Sequence, residues 1–262
     1  MKSPLSLLCL VALTGAVSLR AQNPPATPPV APTTPAAPAI PAIKPPSQKP
    51  DVSAPKLGRD GSPDAGFIKR HEGFVQIAKA GDVDFLLLGD SITDGWRGHK
   101  PIYDQSFGAW KPANFGIGGD RTQHVLWRIA NGELDGIKPK AAMLMIGTNN
   151  SGSDPAEEIA KGIAKIVETL RAKSPTTKLL LLAVFPRGAK PGPTRDKLKQ
   201  VNSIIAQLDD GKMIHYLDIG DKFLEADGTL TKEIMPDFLH LSDKGYQIWA
   251  DAVTPKLAEL MK

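Results

Sequence analysis

The chain has 262 residues, a formal charge of +4, 41% hydrophobic residues and one cysteine. That length and apolar content suffice for one α/β domain of ordinary size. Acidic and basic residues are interspersed, with no long Lys/Arg run and no alternation of basic and aromatic residues, which argues against a nucleic-acid partner.

The N-terminus reads as an export signal. Lys2 supplies the positive region, residues 5–17 an apolar run, and Leu19-Arg20-Ala21 ends in the small residue that a signal peptidase requires. Residues 1–21 are therefore expected to be a signal peptide cleaved after Ala21, delivering the protein to the periplasm or the medium. The apolar run is shorter than the roughly 18–20 residues that span a bilayer, so stable membrane insertion after cleavage is not expected. Cys9 lies inside this run, and the mature chain would carry no disulfide, thiolate metal site or cysteine nucleophile. Residues 22–56 are dominated by Pro and Ala, a composition that favours solvated polyproline II and cannot bury a core. They are expected to be a disordered linker ahead of a domain spanning residues 57–262.

Within that domain a helix is expected after Ser62-Pro63, including Phe67, Phe74 and Ile77. Short continuous apolar runs at residues 83–88, 141–146, 179–185 and 213–217 read as strands buried on both faces of a parallel sheet, and a further strand is expected just before Phe115. Between them, Asp154-Pro155 with Glu157 signals a helix start, with Asp154 as N-cap and Pro155 at the first helical position. Ile159, Ile163, Ile166, Val167 and Leu170 then form one apolar face. A last helix carries Tyr246, Ile248 and Trp249. Strands alternating with helices imply βαβ crossovers and a three-layer α/β/α sandwich around a mostly parallel sheet, with any site at the carboxyl ends of the strands.

Four segments place reactive groups there. Leu88-Gly89-Asp90-Ser91 ends the first strand, and its glycine permits a tight turn that exposes the Ser91 hydroxyl. Phe115-Gly116-Ile117-Gly118-Gly119-Asp120 leads into a helix and can turn backbone N–H groups toward an anion. Its spacing does not match Gly-x-Gly-x-x-Gly, and the phosphate-binding Lys-Ser/Thr signature is absent. Gly147-Thr148-Asn149 places a side-chain amide at the same edge, able to donate to a developing oxyanion. Asp237-Phe238-Leu239-His240 puts a carboxylate and an imidazole within one turn, so Asp237 can accept from Nδ1–H and leave Nε2 free to take a proton. His71, His99, His124 and His215 lack such a constellation, and no cluster has metal-ligand spacing.

Gly89-Asp90-Ser91, Gly119, Gly147-Thr148-Asn149 and Asp237-Phe238-Leu239-His240 resemble the four blocks of the SGNH (GDSL-type) hydrolases. Asn114-Phe115-Gly116-Ile117-Gly118-Gly119-Asp120, His124-Val125-Leu126-Trp127-Arg128, Asn131-Gly132-Glu133-Leu134 and Pro186-Arg187-Gly188 are more closely similar to the catalytic subunits of platelet-activating-factor acetylhydrolase Ib. The resemblance runs from about Phe67 to Trp249. It implies the flavodoxin-like SGNH fold and a serine esterase without cofactor or metal. Ser91 would be the nucleophile, with Asp237 and His240 as its partners. The Ser91 N–H, the Gly119 N–H and the Asn149 side chain would form the oxyanion hole. Gly119 takes that role because it directly precedes Asp120, which leaves Gly118 to the turn. By analogy with secreted members, short acyl groups are expected as substrates, above all acetyl esters on carbohydrate. Acetylated phospholipid-type esters are the alternative, and a non-catalytic glycan- or surface-binding module is the alternative from another class. A homodimer is the assembly that the resemblance carries over.

Overall fold

The computed structural model describes residues 48–262. The expected signal peptide and the expected linker as far as residue 47 lie outside the described residues. A five-stranded, wholly parallel sheet forms the centre, ordered β2-β1-β3-β4-β5. Its strands are β1 (Phe85–Gly89), β2 (Pro112–Gly116), β3 (Ala141–Met145), β4 (Lys178–Leu182) and β5 (Ile214–Leu217). Every residue of β1 and β3 is buried, as continuous apolar strands covered on both faces must be. The expected runs overshoot the ladders: Ala183, Val184 and Phe185 are buried, yet β4 ends at Leu182. Apolar composition tracks burial, not the end of hydrogen-bonded pairing.

Helices cover both faces. One layer consists of α1 (Ala65–Ala80), α4 (Thr122–Arg128), α5 (Ala156–Lys173) and α6 (Pro193–Ile205), and its buried side chains join Leu86 and Leu88 of β1. The other holds the short α2 (Ser91–Asp94), α3 (Lys100–Phe107) and α7 (Asp243–Leu260), packed against Phe85 and Leu87. Alternate residues of β1 thus face opposite cores, as the two-residue period of a strand requires. Helix α1 starts where Asp64 accepts from the Phe67 amide at 2.7 Å and stops at Gly81 in the left-handed region. Helix α5 buries the expected face of Ile159, Ile163, Ile166, Val167 and Leu170, but its start differs: Pro155 is the N-cap and Ala156 the first helical residue. Asp154 instead accepts from Asn150 Nδ2 and Ser153 Oγ, both at 3.1 Å, so its carboxylate serves the loop rather than the helix. Among the described residues no helix is long and apolar enough to cross a membrane.

The strand order fixes where a site can form. Connections leave β1 toward β2 on one side and reach β3 on the other, which opens a crevice at the carboxyl ends of β1 and β3. Residues 48–56, read from the sequence as the end of a linker, instead lie along α4. Thr122 Oγ1 donates to the Pro50 carbonyl at 2.8 Å, and the Ala54 amide donates to the Gln123 carbonyl at 3.3 Å. Prolines there remove donors without preventing the chain from supplying carbonyl acceptors.

The edge strand β2 approaches α2 without room for a side chain: a Cβ on Gly116 would lie 2.3 Å from the Asp94 amide nitrogen and 2.8 Å from the Thr93 carbonyl carbon. Both obstacles are backbone. Gly116→Ala should therefore destabilise the domain by about 1–3 kcal/mol, the usual cost of overpacking. Thermal unfolding would detect this as a lower Tm, and an unchanged Tm would mean that α2 yields freely.

Candidate active site

Ser91 is the first residue of α2, directly after the residue that caps it. Asp90 Oδ1 accepts from the Ile92 amide at 3.0 Å and so fixes the helix start beneath the serine. Gly89 is needed for space and not for an unusual dihedral: it is absent from the positive-φ glycines, while a Cβ on it would meet Thr93 Oγ1 at 2.1 Å and the Met145 carbonyl at 2.5 Å. The turn expected of this glycine is thus a steric gap between β1, β3 and α2.

The glycine loop after β2 lies beside the serine, since a Cβ on Gly118 would be 3.9 Å from Ser91 Cβ. The left-handed residue is Gly119, with φ 73°, and not Gly118, to which the sequence reading gave the turn. Among the described residues the Gly119 N–H donates to no other group, leaving it available at the crevice. Asn149 follows β3 and donates from Nδ2 to the Asp120 carbonyl at 2.8 Å, which ties the two loops together and leaves a second amide hydrogen.

The third contribution arrives from the loop before α7. Asp237 Oδ1 accepts from the amides of Leu239 at 3.0 Å and His240 at 2.7 Å, and its Oδ2 faces His240 Nδ1 at 2.6 Å. Phe238 at the centre of this turn has φ 60°, a costly conformation for an aromatic residue. It is held by its own amide donating to the Met235 carbonyl at 2.9 Å and by its carbonyl accepting from Gly188 at 2.8 Å. Burial works to raise the Asp237 carboxyl, but the donors from His240 and Leu239 outweigh it and hold it below the ordinary carboxylate range. An ionised acceptor requires the proton on Nδ1, so Nε2 carries a lone pair. That atom lies 2.9 Å from Ser91 Oγ, across 149 residues of sequence. The structure therefore brings Ser91, His240 and Asp237 into one chain of hydrogen bonds, with Gly119 and Asn149 at the adjoining loops.

Sequence reasoning missed what lies beneath. Arg128 is fully buried and donates from Nε to Asp120 Oδ2 at 2.9 Å, from Nη1 to Glu133 Oε2 at 2.5 Å and from Nη2 to the Gly89 carbonyl at 3.4 Å. His71 Nδ1 meets the other Glu133 oxygen at 3.1 Å. Burial lifts Asp120 to about 6 despite Arg128, and lifts Asp90 to about 7, with the neighbouring Asp120 charge adding to the rise. Burial and the nearby cations Lys56, Arg121 and Arg128 push His124 down to about 3, in keeping with its Nδ1 accepting from the Arg121 amide at 3.1 Å. The available signal was the pair of blocks that contain Arg128 and Glu133, charged residues set among apolar ones.

Comparison with known proteins gives the family and the fold. The model of the GDSL-like lipase/acylhydrolase family matches residues 87–248. Platelet-activating factor acetylhydrolase IB subunit alpha2 of Rattus norvegicus is 39% identical over 196 residues, covering 74% of this chain and 85% of that protein. The alpha1 subunit of Homo sapiens is 38% identical over 196 residues, covering 74% and 84%. Among solved structures, a GDSL-like lipase from Bacteroides thetaiotaomicron superposes with TM-score 0.61 at 17% identity, covering 72% of this chain and 97% of that one. An acetylxylan esterase from Geobacillus stearothermophilus, solved as a catalytic mutant, gives TM-score 0.55 at 19% identity and covers 70% and 96%. These two structures share the fold.

A carboxyl raised by folding stabilises the native state fully below its unfolded pKa, and that stability is lost as pH rises through the folded value. With Asp90 at about 7, unfolding free energy should fall between pH 4 and about pH 7. Asp90→Asn keeps a capping oxygen but cannot ionise, so its stability should decline less steeply over the same window. Denaturant titrations of both proteins at pH 4, 6 and 8 measure this. Parallel curves would show that Asp90 does not carry the effect.

Proposed function

We propose, from the premise that this chain belongs to the GDSL-like lipase/acylhydrolase family, that it is an exported serine esterase acting on short-chain, chiefly acetyl, esters. The observation that carries this reading is the continuous Ser91–His240–Asp237 chain, with 2.9 Å and 2.6 Å links, beside an unspent Gly119 amide.

In this mechanism His240 Nε2 takes the Ser91 proton as Oγ bonds to the ester carbonyl carbon. The Ser91 and Gly119 amides and the free Asn149 hydrogen stabilise the oxyanion. Collapse breaks the carbon–alkoxide bond, and His240 returns its proton to the leaving alcohol. A water then gives a proton to His240 as its oxygen bonds to the acyl carbon, and collapse breaks the acyl–Oγ bond while His240 returns that proton to Ser91 Oγ, releasing the acid. Asp237 holds the imidazole tautomer throughout.

The His240 and Asp237 side chains are 45% and 56% exposed, an open arrangement that admits a bulky alcohol such as a polysaccharide. This, together with the acetylxylan esterase among the structural neighbours, supports acetylated glycans. The acetylhydrolase relatives support a second reading, an acetylated phospholipid-type ester with the same acyl group. Export rests on the basic, apolar and small-residue order of residues 1–21.

Hydrolysis of acetyl, butyryl and octanoyl p-nitrophenyl esters should fall with acyl length and vanish in Ser91→Ala. Asn149→Ala should lower kcat by about a hundred- to a thousand-fold, the usual loss of one oxyanion donor. Acetate release from acetylated xylan, set beside release from a 2-acetyl ether phospholipid, separates the two substrate readings. A folded Ser91→Ala variant as active as the parent would sink the mechanism, and a folded parent inactive on every ester would favour a binding module.

A further inference from the structure

The Gly118 carbonyl and the Gly119 N–H belong to one peptide group, so whatever binds the oxygen acts on the hydrogen. Lys56 Nζ donates to that carbonyl at 2.7 Å. The same ammonium stands over the glycine, because a Cβ on Gly119 would meet Nζ at 2.9 Å. Among the described residues Lys56 forms no ion pair, and its remaining two hydrogens are not consumed by a carboxylate.

The backbone that delivers Lys56 is fixed on both sides. Gln48 receives from His124 Nε2 at 3.1 Å and donates to the Pro55 carbonyl at 2.8 Å. On the other side the Asp64 amide donates to the Lys56 carbonyl at 2.8 Å, and Leu57 forms an antiparallel bridge with Pro63. A Cβ on Gly162 would lie 2.6 Å from the Pro50 carbonyl, so α5 seats the segment closely. The strap lies outside residues 87–248, the stretch that the family model matches.

We propose that Lys56 is a positioning residue for the oxyanion hole, supplied by the strap of residues 48–64. A cation on the Gly118 oxygen draws electron density through the amide and strengthens Gly119 N–H as a donor. It also holds the peptide plane so that this N–H cannot rotate out of the crevice. Its positive field favours negative charge at the adjoining carbonyl, which is largest in the transition state. The effect therefore falls on kcat and not on ground-state binding.

This inference rests on the proposed esterase mechanism, and the test distinguishes the two. Steady-state hydrolysis of p-nitrophenyl acetate is measured for the parent, Lys56→Met, Lys56→Arg and Ser91→Ala, together with inhibition by phenylboronic acid, whose serine adduct is tetrahedral and anionic. Lys56→Met keeps the aliphatic stem, and it should lower kcat about tenfold, less than loss of a direct donor, with KM within about twofold. Boronate affinity should weaken by a matching factor, and Lys56→Arg should restore kcat to within about threefold of the parent. Parental kcat and boronate affinity in Lys56→Met would overturn the proposal, as would equal impairment of the Arg and Met variants. Undiminished activity in Ser91→Ala would instead overturn the esterase mechanism on which it stands.

Discussion

Arg128 sits with no exposed surface beneath the crevice and divides its guanidinium between the Asp120 carboxylate, the Glu133 carboxylate and the carbonyl of Gly89. Through that one side chain the end of β1 is tied to the loop after β2, and through Glu133 and His71 to α1. Burying such charges gains little net stability, because desolvation offsets most of the attraction, whereas removing one partner typically costs about 3–5 kcal/mol. The contribution of Arg128 is better understood as position: its bonds hold Asp120 against the end of β1. Asp120 in turn offers its carbonyl to Asn149, so the amide after β3 is aligned by the same network.

The remainder of the site hangs from the opposite layer. Ser91 and the glycine loop are seated on the sheet, while His240 and Asp237 come from an exposed turn ahead of α7. Tyr246 of α7 closes that gap by donating its hydroxyl to the Ile92 carbonyl at 2.6 Å, one residue past the serine. The approach is so close that a Cβ on Gly95 would fall 2.1 Å from the Tyr246 oxygen. Trp96, Tyr246 and Trp249 pack together, with Trp96 ring centroids 4.5 Å and 5.1 Å from the other two. Exposed His240 can thus meet half-buried Ser91 with fixed geometry, because α7, which follows the histidine, is bonded to α2, which carries the serine.

Much of this was legible in the sequence, for identifiable reasons. Leucine-rich runs bounded by glycine mark strands covered on both faces, and alternation with amphipathic helices leaves a parallel sheet as the economical arrangement. Ser91 and Asn149 stand out because they follow such runs, and Asp237 and His240 because a carboxylate and an imidazole fall within one turn ahead of the last helix. Other features depend on contacts that no spacing encodes. Gly89 and Gly116 are required by neighbours distant in sequence, and Gly119, not its twin Gly118, takes the left-handed turn. A Pro/Ala composition concealed that residues 48–56 can dock through their carbonyls. Arg128 stood in the sequence only as the end of a block of resemblance, since a buried ion is recognisable only once its partners are in place.

Carboxylates show the same dependence on surroundings most sharply. Asp90 adjoins the serine in sequence, yet burial raises it to about 7 and its second oxygen has no partner among the described residues. Such a group is committed to capping α2 and is a poor anchor for an imidazolium. Asp237 lies 146 residues from the serine, as 237 minus 91 gives, but it is half-exposed and receives two amides and an imidazole. Those donors keep it charged, which is the property needed to stabilise a proton on His240. Proximity in sequence would favour the first carboxylate, whereas exposure and the local supply of donors favour an ionised second one. The division of labour between the two acids follows from solvation, with the fold's task being to expose one and enclose the other.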